Sequence, residues 1–423
     1  MNCKISKSQI SGIVKCPANK SYTHRAIFLA SLAGDESKVE NVLFSADTNA
    51  TIKACIDFGA EIEKDESSII VKNKIKFNKT VPEINTENSG TTIRIASAIA
   101  SLFDHEITLT GDESLQKRPM QPLLNALTDL GAECTSTNGN PPVKIKGKIN
   151  GGSVTIPGNF SSQFISALLI SGPLTENGIN LNIEGNLVSK PYLDATISSM
   201  RNYGVSVQTL IPYKKYNIVP QIYQKNDFSV PIDFSSLALL LAANVLVGKD
   251  MIIQGDIGHL PQGDEVFLDI LSELGVKIKI ENEQIEISTP EKLKGGKFDL
   301  SNSPDLLPPL SILILKSENP IEIFNVKHAR LKETDRIAII SRELQKIGIQ
   351  VDEKEDGMVL RNSNTHHGAK MNSENDHRLF MAFSIAGMYV GDCIVSDPNS
   401  INVSFPNFID EIKRIGGKFE IID

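Results

Sequence analysis

One phrase recurs six times along the 423 residues: an amphipathic segment ending in an apolar residue, then glycine, then a short alternating stretch. The copies are CIDFGAEIE around Gly59, LTDLGAECT around Gly131, MRNYGVSVQ around Gly204, LSELGVKIK around Gly275, LQKIGIQVD around Gly348 and IKRIGGKFE around Gly416. A beat of about seventy residues kept over the whole chain is the signature of a repeat architecture, and it constrains the fold more than any single motif. Each glycine sits where a helix C-cap needs a residue that tolerates positive φ. The alternation that follows, as in Val276, Ile278 and Ile280 or Ile349 and Val351, has the period of a half-buried strand. Every copy therefore predicts a helix followed by a strand.

A second helix recurs in the other half of each repeat, visible as RAIFLASLA, IRIASAIASLF, QFISALLISGPL, SSLALLLAANVLV, LLPPLSILIL and HRLFMAFSIAG. These are apolar nearly all round, which predicts burial on every face. The expected fold class is α/β, with strands outside and helices within. A chain of 423 residues exceeds what one core usually covers, so we expect two bodies of three repeats each. The connection falls near residues 225–233, in QKNDFSVPIDFSS, and the first dozen residues are expected to form a strand in the other body. This gives an N-terminal domain over 14–230 and a discontinuous C-terminal domain of 1–13 with 231–423.

The formal net charge of −8 excludes a broad basic surface for nucleic acid, so an anionic ligand must be met by a local pocket of cations. Cys3, Cys16, Cys55, Cys134 and Cys393 are scattered without CxxC spacing, which fits buried thiols in a reducing compartment and no structural zinc. The start MNCKISKSQISG lacks an apolar signal core, and the longest apolar runs fall well short of a membrane span. A cytoplasmic protein is expected, monomeric and without a membrane or nucleic-acid partner.

The informative residues stand in the polar turns that open the buried helices. In ANKSYTHRAIFLASLA, Lys20, Ser21 and Arg25 lead into an apolar run, so an ammonium, a hydroxyl and a guanidinium meet the free N–H groups of a helix start. That makes either an anion cradle for phosphate or carboxylate or a capped surface helix with solvated basic residues. Asp47 is an N-cap or a site residue. NSGTTIR offers Ser89, Gly90 and Thr91 before Arg94, and QKRPM supplies Arg118. NFSSQF places Ser161, Ser162 and Gln163 where they can cap a helix or bind phosphate, and SKPYLD adds Ser189, Lys190 and Tyr192. PIDFSS reads as capping by Asp233. Further on come Asp305, His328, Lys332, Glu333 and Arg336 in NSPDLLPPL and HARLKETDRIAII. Four-residue spacing puts Lys332 and Arg336 on one helix face while Glu333 turns aside, as an acid/base group or a salt-bridge partner. NDHRLF sets Asp376, His377 and Arg378 at the last helix mouth.

NKSYTHRA, NSGTTIR, KRPM, SSQF, SKPY, SPD, KETDR and NDHR, in this order, resemble the 5-enolpyruvylshikimate-3-phosphate synthase family along the whole chain. The resemblance implies two domains of three βαβαββ repeats, an inside-out α/β barrel closing about a hinge. It implies transfer of the enolpyruvyl group of phosphoenolpyruvate to the 5-hydroxyl of shikimate 3-phosphate, with no metal or cofactor. By resemblance Lys20, Ser21, Arg25, Ser161, Ser162, Gln163, Ser189, Tyr192, Asp305, His328 and Lys332 would hold shikimate 3-phosphate. Lys20, Gly90, Arg118, Gln163, Arg336 and Arg378 would hold phosphoenolpyruvate, and Asp305, Glu333 and Lys20 would move protons. Two departures stand out. Val403 in INVSFPNF replaces a frequent lysine, and Ile95 replaces a frequent proline.

Two other readings fit parts of this pattern. The sister transferase acting on UDP-N-acetylglucosamine usually carries a reactive cysteine in the second repeat, and residues 104–118 contain none. A clamp-like scaffold without chemistry would spread its cations along helices instead of clustering them at Gly- and Ser-bearing helix mouths.

Overall fold

The computed structural model describes every residue except His259 and Asn364. Among the described residues the strands form six four-stranded sheets, each an open sheet with two edges. The repeat is plainest over residues 152–218. Strand Gly152–Pro157 leads into helix Ser162–Ser171, strand Ile179–Glu184, helix Lys190–Asn202 and the hairpin Gln208–Ile211 with Lys215–Ile218. The first two strands pair in parallel and the hairpin adds antiparallel, so the unit is βαβαββ.

All six repeat glycines adopt positive φ: 102° at Gly59, 110° at Gly131, 78° at Gly204, 98° at Gly275, 95° at Gly348 and 112° at Gly416. The strand after each glycine is less buried than alternation alone suggests. It lies at the edge of its sheet in every repeat, and Gln208–Ile211 is exposed at all four positions. Ile280, expected to face the core, is 41% exposed for this reason.

The six apolar segments form the helices Lys20–Leu32, Gly90–Ala100, Ser162–Ser171, Phe234–Val247, Leu307–Ile312 and His377–Val390. Phe234–Val247 is buried at every residue. Leu307–Ile312 is the shortest of the six and is flanked by 3-10 turns on both sides; Pro308 and Pro309 stand in its first turn, where a missing N–H is tolerated.

The chain divides into two compact bodies. One comprises Ala18–Pro231 with the stretch 260–262; the other comprises Met1–Pro17, Ile232–Gly258 and Gly263–Asp423. The crossover follows Pro17 instead of residue 13, because Ile10–Lys15 pairs in parallel with Gly248–Gln254. Asn2–Ser6 lies between Cys393–Ser396 and Lys418–Ile422 in another sheet of the same body. The first repeat in turn receives its leading strand from Phe228–Ser229, which pairs with Ser37–Glu40. No described helix is long and apolar enough to cross a membrane.

Candidate active site

In the N-terminal body the inner helices open on capped starts. Asn19 accepts from the Tyr22 amide, Ser89 from the Thr92 amide and Ser161 from the Gln163 amide. Lys20, the first helical residue, donates to Asp47 Oδ2 at 3.0 Å, with both side chains largely buried. Asp47 lies in the first turn of helix Ala46–Asp57, whose cap is Ser45, so Asp47 serves Lys20 and not the cap. Arg25 sits one turn further in and is fully buried. It donates to Thr196 Oγ1 at 2.9 Å, to the Ser21 carbonyl at 2.9 Å and to the Tyr192 carbonyl at 3.0 Å. Burial pulls its guanidinium down to about 10, against the pull of Tyr22 and Tyr192. Arg25 therefore braces the segment carrying Ser189 and Tyr192. Ser189 itself takes the left-handed conformation, φ 54°, immediately before helix Lys190–Asn202.

The Gly90 turn is equally crowded with cations. A Cβ on Gly90 would lie 3.1 Å from Arg118 Nη1 and 3.5 Å from Arg94 Nη1. Arg118 donates to Asn88 Oδ1 at 2.5 Å, and its buried Nε has no hydrogen-bond partner among the described residues. Arg94 donates to Gln163 Oε1 and lies 5.0 Å from the centre of the Phe164 ring, while Gln163 Nε2 donates to Thr91 Oγ1 at 3.1 Å. One amide thus ties the Ser161 cap to the Gly90 turn. Ser162 is buried beside it, and Ser161 and Gln163 are half-buried.

In the C-terminal body the chemistry converges on Asp305, in the 3-10 turn Pro304–Leu306. Its Oδ1 meets Arg336 Nη1 at 2.6 Å and Lys332 Nζ at 3.5 Å, and its Oδ2 meets Arg378 Nη2 at 3.3 Å. Burial alone would raise this carboxyl. Arg378, Lys332 and Arg336 outweigh burial and hold it well below the ordinary range. Arg336 is completely buried: Nε donates to Asp376 at 2.7 Å, and Nη2 donates to Glu333 at 2.8 Å. Asp376 also caps helix His377–Val390, accepting from the Arg378 amide at 2.9 Å. Arg378 Nη1 is buried and makes no hydrogen bond among the described residues.

The KETDR segment differs from its expected shape. Lys332 and Glu333 precede the helix, which starts at Arg336 behind its cap Asp335. Helical spacing therefore does not set their directions, and Glu333 turns toward Arg336 instead of aside. His328 lies in the preceding 3-10 turn Lys327–Leu331, lowered to about 4 by burial and then by Lys332, so its imidazole is neutral. Val403 ends the 3-10 turn Pro398–Val403, half-buried, and Ile95 is a core residue at 1% exposure.

Two acids at this cluster have roles that the sequence did not show. Asp376, read from NDHR only as a residue of the last helix mouth, is the clamp of Arg336. Asp264, in the turn Gly263–Glu265, accepts from Ser235 Oγ and is pushed up to about 7 by burial and by Asp305. An acid at a helix start reads as a first-turn aspartate, and nothing local marks it as buried.

The family model described as EPSP synthase (3-phosphoshikimate 1-carboxyvinyltransferase) matches residues 5–412. A 3-phosphoshikimate 1-carboxyvinyltransferase of Nitrosopumilus maritimus is 72% identical, covering 99% of this chain and all of that protein. One from Methanosphaera stadtmanae is 38% identical over 98% of this chain and 99% of its own length. Among solved structures, an EPSP synthase from Acinetobacter baumannii aligns with TM-score 0.84 at 24% identity, covering both chains fully. The enolpyruvyl transferase NikO from Streptomyces tendae aligns with TM-score 0.77 at 15% identity, over 99% of this chain and 98% of its own. At those identities the structures speak for the α/β fold. The match to the family model over residues 5–412 and the identity of the curated relatives go further, and on them the chain belongs to the EPSP synthase family, the 3-phosphoshikimate 1-carboxyvinyltransferases.

Proposed function

We infer that this protein transfers the enolpyruvyl group of phosphoenolpyruvate to the 5-hydroxyl of shikimate 3-phosphate, giving 5-enolpyruvylshikimate 3-phosphate and phosphate. Family membership supports the reaction. The single observation that carries its chemistry is the Asp305 cluster, one buried carboxylate facing the three cations Lys332, Arg336 and Arg378. Both substrates are multiply charged anions, and each charge-assisted hydrogen bond to such a group is worth about 1.5–3 kcal/mol.

By family resemblance, shikimate 3-phosphate is assigned to Lys20, Ser21, Arg25, Ser161, Ser162, Gln163, Ser189, Tyr192, Asp305, His328 and Lys332. Phosphoenolpyruvate is assigned to Lys20, Gly90, Arg118, Gln163, Arg336 and Arg378. Asp305 takes the 5-hydroxyl proton as the oxygen bonds to C2 of phosphoenolpyruvate, and C3 gains a proton. Glu333 and Lys20 serve that proton transfer, its reversal at C3 and the departure of phosphate. Because Arg336 and Arg378 pair with Asp305, a substrate anion must compete with that carboxylate. Capturing the cations loosens their hold on Asp305 and makes it a stronger base at the moment substrate arrives. With Val403 where a lysine is frequent, Lys20, Arg118, Arg336 and Arg378 bear the phosphoenolpyruvate charge. A monomer working in the cytoplasm completes the reading.

Phosphorus NMR of the protein with both substrates tests it. The phosphoenolpyruvate resonance should be replaced by inorganic phosphate while a new phosphate-monoester resonance grows beside that of shikimate 3-phosphate. An unchanged spectrum with folded protein overturns the reading.

A further inference from the structure

His24, on the inner helix Lys20–Leu32, is completely buried and carries no role in the reaction above. Its Nδ1 lies 2.6 Å from Thr51 Oγ1, Thr51 Oγ1 lies 2.7 Å from Thr92 Oγ1, and Thr92 Oγ1 lies 2.6 Å from Ser89 Oγ. All four residues are at 0% exposure. The direction of this chain follows from its proton count. Thr92 donates its hydroxyl proton to Ser89, so it accepts from Thr51. Thr51 spends its one proton on Thr92, the competing Asp47 carbonyl lying further off at 3.4 Å. Thr51 must then accept from His24, which places the imidazole proton on Nδ1. Burial, then Lys20 and Arg25, lowers the His24 pKa well below its ordinary value and keeps the ring neutral.

The chain joins three helices and ends on Ser89, the cap of Gly90–Ala100. Ser89 also accepts from the Thr92 amide at 3.2 Å, so both Thr92 donors pull on the residue before Gly90. With Arg118 Nη1 only 3.1 Å from where a Gly90 Cβ would stand, a shift of the turn by a few tenths of an ångström changes its fit to that cation.

We propose that His24 is a positioning residue for phosphoenolpyruvate: through Thr51 and Thr92 it fixes Ser89, and with it the pose of the Gly90 turn. This rests on the assignment of Gly90 and Arg118 to phosphoenolpyruvate. The test compares full-length His24→Leu, His24→Asn, Thr92→Val, the double variant His24→Leu/Thr92→Val, and Gly90→Ala in steady-state kinetics with both substrates. His24→Leu should raise the KM for phosphoenolpyruvate roughly tenfold and leave that for shikimate 3-phosphate unchanged, since one buried acceptor loses its donor. An asparagine amide can present N–H near the Nδ1 position, so His24→Asn should restore the wild-type value to within about twofold. The double variant should be no worse than the poorer single one, because both cut one chain.

His24→Leu with an unchanged phosphoenolpyruvate KM, while Gly90→Ala raises it, overturns the role of His24 and leaves the turn assignment standing. Gly90→Ala with no effect overturns the turn assignment, and this proposal with it. Nitrogen-15 NMR of the His24 ring reads the chain independently of activity: a protonated Nδ1 is expected, and a protonated Nε2 contradicts the stated direction.

Discussion

Asp305 is bound to Lys332, Arg336 and Arg378, and the pairing that stabilises it also makes it a weak base. Replacing it by asparagine separates the two roles. Asp305→Asn should lower kcat by about 10²–10⁴, while the dissociation constant for phosphoenolpyruvate falls, because the anion no longer competes with a carboxylate. Single-turnover and equilibrium-binding measurements read the two effects, and weakened binding in this variant would contradict the exchange. The depressed Asp305 carboxyl contributes stability that is complete above its ordinary value of 3.8 and is lost as pH falls through the folded value. Asp264 works in the opposite sense. Raised by burial and Asp305 to about 7, it costs the native state progressively more as pH rises from 3.8 toward that value. Asp264→Asn should therefore gain Tm over wild type, by a margin that widens from about pH 5 to about pH 8. A constant margin would show that Asp264 is not the titrating group.

At the scale of elements, the repeat glycines differ in what surrounds them. A Cβ on Gly131, φ 110°, meets nothing within 4 Å among the described residues, whereas one on Gly348, φ 95°, would stand 2.3 Å from the Thr365 carbonyl oxygen. Gly131→Ala should cost about 1–2 kcal/mol from backbone strain alone. Gly348→Ala should cost visibly more, since the chain must also move off that oxygen, and urea denaturation of the two variants gives the comparison. Equal losses would mean that φ strain dominates at both. These caps and the buried helices were legible because helix termini and all-apolar faces are local patterns. The exposure of Gln208–Ile211 was not, because edge position is decided by pairing with Lys215–Ile218 and not by the strand itself. Nor was the direction of Glu333: spacing presumes a helix, and the chain begins one only at Arg336.

Across the whole molecule, a net charge of −8 coexists with cations gathered at helix mouths, so anion binding depends on placement and not on bulk charge. The six-fold beat and the residues of the mouths could be read along the chain, and family resemblance gave them roles. The first residues were expected as a strand of the C-terminal body and are one; what could not be read are the partners joined across distant segments: Cys393–Ser396 and Lys418–Ile422 on either side of Asn2–Ser6, Phe228–Ser229 beside Ser37–Glu40, and the hydroxyl chain from His24 to Ser89. Those joins depend on tertiary partners that no local window contains. The measurement that bears most directly on the account is phosphate release from phosphoenolpyruvate, followed in parallel with shikimate 3-phosphate and with UDP-N-acetylglucosamine as acceptor. Release with shikimate 3-phosphate alone is the predicted result; release with UDP-N-acetylglucosamine alone, or with neither while the protein is folded, would contradict it.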